Sequence, residues 1–342
     1  MIDSGYKNRH AISQLIQSGE VAPSNVDKVL LLSHITPSNQ AWTAFLGKLL
    51  LWLGVIALSS SIMFFIAYNW DDLGRFAKFG LVEAFIIASV LFYLWSNKKL
   101  ASINGLDSPQ KSTLIGKATL LVASLSLGVL LAFYGQTYQT GADTWQLFFT
   151  WALLIIPWTM IAQFPALWII LLVLLNITVS LYIEIFGGLF GGLLDSDKSL
   201  LWTTAGINGI ALIVWELLKG RLSWLNESWA TRVIAFAAGL PLTFLAIEAI
   251  FDRHQSFSLA YPVWAIVMVA IYVVYRKFKP DLFMLAMACL SGIGVILSFA
   301  GHTLFKTLDL EIGAFLFLAI LVIALGGSAA VWLKRIHKEQ QA

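Results

Sequence analysis

An all-α membrane protein with about ten transmembrane helices is the fold class that this sequence predicts, N-in and C-in, with a short cytoplasmic helical hairpin ahead of the first span. Three observations predict it. The chain is 59% hydrophobic and 12% charged over 342 residues, whereas soluble domains run at roughly 25% charged and 45–50% apolar residues. Ten apolar runs follow one another, most of them near the ~20 residues a helix needs to cross a bilayer, and the mean hydropathy is +0.81. The basic residues also sort by side. With the N-terminus inside, seventeen of the 22 Lys and Arg fall on the inner side, as the positive-inside rule expects. The other five, Arg75, Lys78, Lys198, Arg253 and Lys306, fall outside.

Residues 1–43 read as the hairpin. Ala11, Ile12, Leu15 and Ile16 share one helical face, because apolar residues spaced three and four apart line one side of a helix. Gly19 reads as its stop. Pro23 and Ser24 open a second helix carrying Val26, Val29, Leu30 and Leu32, Thr36-Pro37 ends it, and Ser38-Asn39 offers a cap for the next. No cleavable signal peptide is expected, since the first apolar run starts near Ala44, too late for a signal h-region.

Residues 44–333 read as the spanning bundle, with runs at about 44–68, 76–95, 114–134, 146–162, 165–186, 199–218, 230–250, 260–275, 281–301 and 311–333. Those at 146–162 and 260–275 are short for a span. The fourth and fifth meet at Gln163-Phe164-Pro165, either a tight turn or a partly re-entrant segment. Pro157 and Pro241 fall inside the fourth and seventh spans and should kink them. Residues 334–342 form a basic tail. Many of the fourteen Trp lie near run ends, including Trp42, Trp70, Trp95 and Trp145, as interfacial aromatic belts do.

One stretch stands apart. Gly135 to Gln146 is polar but carries no Lys or Arg; it holds three Gln, three Thr and one Asp between two apolar runs. The topology sends it to the outer face, together with the first connection, Tyr68 to Arg75. Residues 128–143 also align without gaps to 294–309, with seven of sixteen positions identical. That echo is either a parallel repeat of spans 3–4 in spans 9–10 or the cheap matching of helices rich in Gly, Leu and Phe.

Charge within a span costs ~2.5–3.5 kcal/mol at the helix centre on insertion scales, so such residues are functional candidates. Glu83, Glu184, Glu216 and Glu248 qualify by position. Glu216 lies at an inner end and is expected to snorkel beside Lys219 and Arg221. Arg75 or Lys78 is expected to reach Asp71, Asp72 or Asp143. The ligand-binding set comprises Asn69, Trp70, Arg75, Glu83, Gln136, Tyr138, Gln139, Asp143 and Gln146, with Glu184, Glu248 and His302 as secondary candidates. Thr137 belongs to the same polar group. Amides and hydroxyls both donate and accept, and aromatic rings add stacking faces, which suits a polar small molecule or a lipid head group. It equally suits a connection that satisfies its own backbone at membrane depth.

Catalytic signatures are absent: the chain has no H-E-x-x-H, no G-x-S-x-G and no Walker lysine loop. No catalytic residue, metal or cofactor is assigned, and the reading leans away from an enzyme. The single cysteine, Cys289, sits in an apolar run and reads as a core residue. Gly187 to Gly192 reads as a flexible loop. A net charge of +3 distributed by membrane side gives no nucleic-acid signal. The expected partners are the lipid bilayer, a polar solute or head group, and a protein at residues 1–43.

Phe65-Ile66-Ala67-Tyr68-Asn69-Trp70 followed by Lys78, then Tyr134-Gly135-Gln136-Thr137-Tyr138-Gln139 with Trp145 and Trp151, resemble the bacterial predicted membrane proteins grouped as domain of unknown function 2157. Leu15 to Ala22 is similar to that family's leading segment. The resemblance covers roughly residues 10–160. It implies the inner (cytoplasmic) membrane of a bacterium, a periplasmic outer face and no established activity. The leading expectation is a transporter, flippase or polar-ligand binder with its site at the outer ends of spans 1–4. The alternative is a non-catalytic assembly or scaffold protein that docks partners through its N-terminal hairpin.

Overall fold

The computed structural model describes residues 12, 15–16, 18–32, 39–104, 114–139, 141–187, 198–252, 258–307 and 311–339. Most of the first expected hairpin helix, the Ser38 cap, Thr140, Gly188 to Gly192, Arg253 and Asp309 lie outside these residues. Among the described residues there are eleven α-helices and no strand. A 3₁₀ turn, Pro23–Asn25, leads into α1 (Val26–Leu32), and then come α2 (Asn39–Tyr68), α3 (Arg75–Asn104), α4 (Leu114–Tyr138) and α5 (Thr144–Ala162). They are followed by α6 (Pro165–Phe186), α7 (Ser199–Leu218), α8 (Ser228–Phe251), α9 (Ala260–Val273), α10 (Leu282–Thr307) and α11 (Glu311–Glu339). The ten helices from α2 to α11 are long and apolar enough to cross a membrane. A helix satisfies its own backbone where no water can, which is why every apolar run takes this form.

Helix ends differ from the apolar runs where polar residues continue a helix. The α2 helix begins five residues before Ala44, and α4 carries on through Gly135-Gln136-Thr137-Tyr138. The first four residues of the polar stretch are therefore the last turn of a helix. The basic residues at 334–339 likewise continue α11. The short run at 260–275 reaches spanning length because α9 passes into a π-helical turn, Val274–Phe278, giving nineteen residues in all. At Gln163-Phe164-Pro165 the structure is a tight turn. Gln163 is left-handed with φ 46°, Phe164 is extended, and Pro165 opens α6. Proline pushes its predecessor out of the helical region and fits the first helical position, so this sequence stops one helix and starts the next within two residues.

Two helices carry the core. In the first half α4 packs against α2, α3 and α5. Its buried face is built from small residues, among them Gly116, Ala118, Ala123, Ser124, Ser126 and Gly128, which let neighbouring helices approach closely. Ser124 and Ser126 donate to the carbonyls of Leu120 and Val122, each at 2.9 Å, so neither hydroxyl is left unpaired. In the second half α8 packs against α7, α9 and α10, with Ala230, Ala235, Ala246 and Ala249 buried. The α6 helix joins the halves by contacting both α7 and α8. Asn176 and Asn208 exchange amide hydrogen bonds across α6 and α7 at 2.7 and 3.2 Å. The 128–143 and 294–309 segments differ in burial: Phe133 keeps 5% of its surface exposed and its counterpart Phe299 keeps 62%.

Candidate functional site

The helix ends nearest the first connection bring the two sequence motifs together. The α2 helix closes at Asn69, whose side-chain Nδ2 donates to the Phe65 carbonyl at 2.8 Å while its own carbonyl accepts from Leu73 N at 3.0 Å. Asn69 thus finishes the helix and turns the chain. The turn drops Trp70 onto α4, with its ring 5.7 Å from that of Phe133. Ile66, Val82 and Phe133, one from each of α2, α3 and α4, form a buried layer beneath it.

Above that layer sits Lys78. It retains only 7% of its surface, and its Nζ lies 3.6 Å from the centroid of the Trp70 ring. Lys78 is one turn from Val82, so both lie on the α3 face that packs on α4. Thr137 is one turn beyond Phe133 on α4. Lys78 and Thr137 each stand one turn from a residue of that layer. The Thr137 Oγ1 is buried and has no hydrogen-bond partner. A helical threonine ordinarily donates to the carbonyl four residues back, and Thr303, its counterpart in the sequence echo, does so to Phe299 at 2.9 Å. Aromatic residues neighbour the two along α3 and α4: Tyr138 stacks on Phe79 at 5.9 Å and meets Tyr134 at 5.0 Å.

A lysine over an indole gains about 0.5–2 kcal/mol. Trp70 covers one side of the Lys78 ammonium. Among the described residues no carboxylate pairs with that ammonium, and the ion pairs expected with Asp71, Asp72 or Asp143 do not form. A cation in the first turn of α3 also opposes the helix dipole, which favours negative charge there.

The remaining sequence candidates divide. Trp70 and Asn69 are half-buried at this site, and Tyr138 is exposed beside it. Gln136, Gln139, Asp143 and Gln146 are exposed around it, with Gln139 at φ 43°. Arg75 is exposed at the start of α3. Glu83 is exposed on a different face of α3 from the one Lys78 shares with Val82, so the fold does not bring it to Lys78. Glu184 and Glu248 are exposed on α6 and α8. His302 lies edge-on to Phe251 at 5.3 Å, in an open cavity of about 420 Å³ lined also by Ser298, Gly301, Phe305 and Lys306. Trp145 belongs to the neighbouring α5–α6 side. It meets Tyr182 edge-on at 5.2 Å, and its Nε1 is buried without a partner. Among the described residues no His, Cys, Asp and Glu are grouped to hold a metal.

Trp151 has a structural role. Its Nε1 donates to the Ser124 carbonyl at 2.8 Å, and Gly128 makes room for its ring, since a Cβ at that position would lie 2.5 Å from it. Glu216, expected beside Lys219 and Arg221, has richer company at the opposite end of the bundle. It accepts from Lys279 at 2.5 Å and from the Tyr275 hydroxyl at 3.3 Å, with Lys219 at 3.9 Å.

Lys78 is the residue that sequence reasoning left out of the site. Its signal was present: Lys78, Val82 and Ile86 recur at four-residue spacing on one face of an apolar helix. A lysine at the head of an inward-facing stripe is a different object from one on a loop.

One family matches this chain: residues 13–168 match the family described as Predicted membrane protein (DUF2157). No curated protein and no solved structure shows a significant match. The matched segment takes in α1 to α5 and the start of α6, and with them Trp70, Lys78, Thr137 and the neighbouring aromatic residues; the cavity beside His302 falls outside it. Residues 13–168, a little under half of the chain, are thus similar to the predicted membrane protein family DUF2157.

Proposed function

We propose that this protein binds a polar ligand, a small solute or a lipid head group, where the ends of α2, α3 and α4 meet, as a transporter, flippase or receptor for it. The observation that carries this reading is the buried, unbonded hydroxyl of Thr137. A buried polar atom without a partner costs about 1–3 kcal/mol, and a ligand group that bonded to it would recover that cost. Exposed Gln136 and Gln139 supply amides around it, and Tyr134, Tyr138 and Phe79 supply stacking faces. The charge bias of the connections supports an orientation with both termini inside, so that the site faces outward, in a bacterium toward the periplasm. A cysteine replacing Asp72 would then react with an impermeant maleimide added from outside.

Replacing Thr137 by Val tests the reading. Valine keeps the shape and removes the hydroxyl, so the ligand-free protein should gain about 1–3 kcal/mol in thermal unfolding. The same variant, and Gln136→Ala, should lose any non-protein mass that native mass spectrometry finds retained by the wild type extracted from membranes. Destabilisation by Thr137→Val would mean that the hydroxyl is bonded within the protein. A scaffold role has one observation in its favour: α1 has no substantial packing on any spanning helix among the described residues. Deleting residues 1–36 would then remove co-purifying protein partners while leaving the retained small mass unchanged.

A further inference from the structure

The polar atoms of this site are not evenly matched to all polar ligands. Lys78 is more than nine-tenths buried, its ammonium rests against the face of Trp70, and among the described residues it has neither an ion pair nor a hydrogen bond. Thr137, one turn beyond Phe133 on α4, adds an unbonded hydroxyl. Lys78 also stands in the first turn of α3, where the backbone N–H groups that no earlier carbonyl can accept from are gathered. Every one of these groups can donate to an oxyanion. The exposed carboxylates of the region, Asp71, Asp72, Glu83 and Asp143, are not paired with the ammonium.

We propose that Lys78 is the anchor of an oxyanion site, in which a phosphate group takes the open side of the ammonium, Trp70 holds the opposite side, and Thr137 donates its hydroxyl. This rests on the polar-ligand reading above and narrows it to anionic ligands. The phosphate belongs either to an anionic phospholipid, whose tails would lie along the apolar outer faces of α2 and α3, or to a free soluble ion. A lysine suits this role because it presents a compact charge with three donors, one site of which Trp70 already shields.

The test uses the full-length protein in a neutral maltoside detergent, followed by thermal unfolding with phosphatidylglycerol, phosphatidylcholine or inorganic phosphate added. Phosphatidylglycerol should raise the midpoint by about 3 °C or more if the phosphate is lipid-borne, and inorganic phosphate should do so if it is free. The rise should persist in Lys78→Arg, vanish in Lys78→Met, and be unchanged in Lys338→Gln, which removes an exposed lysine near the C-terminus. A second measurement needs no variant. The effective ligand should protect Lys78 of the wild type from acylation by an amine-reactive reagent, read by mass spectrometry, without protecting Lys338. Equal stabilisation by phosphatidylcholine with no protection of Lys78 overturns the anion site and leaves a polar-ligand site standing. Stabilisation by neither lipid nor phosphate, with Lys78 labelled equally throughout, overturns the anion site; retention of a neutral mass by the wild type would then keep the broader reading alive, and its absence would end both.

Discussion

At the scale of single residues, many buried polar groups find a partner within the protein and a few, Ser59, Asn97, Trp145 and Trp168 among them, do not. Ser124 and Ser126 find one in their own helix, and Trp151 finds one in the Ser124 carbonyl. Thr137 does not. The contact between Trp151 and α4 depends on Gly128, whose missing side chain leaves the space the indole fills. Gly128→Ala should therefore destabilise the purified protein by about 1–3 kcal/mol, the usual cost of overpacking. Thermal unfolding in detergent checks this, and an unchanged midpoint would show that Trp151 moves aside freely. Asn69, Trp70, Gln136 and Tyr138 were legible as a group in the sequence because amide and aromatic residues stood out between apolar runs. Lys78 was legible only through its spacing to Val82 and Ile86. Burial decides its chemistry, and burial depends on α4 lying across that face, which no local pattern states.

At the scale of elements, the ten spans were legible because the pressure of the bilayer acts on every residue of a run at once. Their ends were less so. The apolar pattern stops at Tyr134, yet α4 continues to Tyr138, since Gln, Thr and Tyr are tolerated in a helix once its hydrogen-bond ladder is running. The α9 helix gains its last turn by switching to a π-helix at Val274–Phe278, which no apolar run announces. Pairing between helices was also hidden. Asn176 and Asn208 are ordinary polar residues in apolar runs until α6 and α7 bring their amides face to face. Asn208→Leu should weaken this contact and leave the Asn176 amide with its bond to Leu172 alone. The expected cost is about 0.6–2 kcal/mol. A double-mutant cycle with Asn176→Leu measures the coupling, and additive losses would show that the two amides act independently.

At the scale of the whole molecule, the bundle divides its labour between its ends and its halves. The end formed by residues 216–232, 274–281 and 339 is closed by ion pairs: Glu216 with Lys279, Arg232 with Asp281, and Arg276 with Glu339. At the other end Lys78 is buried with no carboxylate against it. Lys198 and Asp252 pair at that end as well, between α7 and α8, so the contrast lies in Lys78 of the first half, which has no carboxylate against it among the described residues. That asymmetry follows the boundary of the matched family segment, residues 13–168. The sequence echo at 294–309 suggested a second copy of the site. The fold gives the two segments different surroundings, with Thr303 bonded to its helix and Phe299 turned outward. The central claim is that the end shared by α2, α3 and α4 holds a polar ligand against Trp70, Lys78 and Thr137. A density map of the full-length protein in a lipid nanodisc tests it most directly. The account predicts non-protein density in contact with the Lys78 ammonium and the Thr137 hydroxyl. A map in which that space is filled by the protein's own side chains, with Lys78 paired to an Asp or Glu, would contradict it.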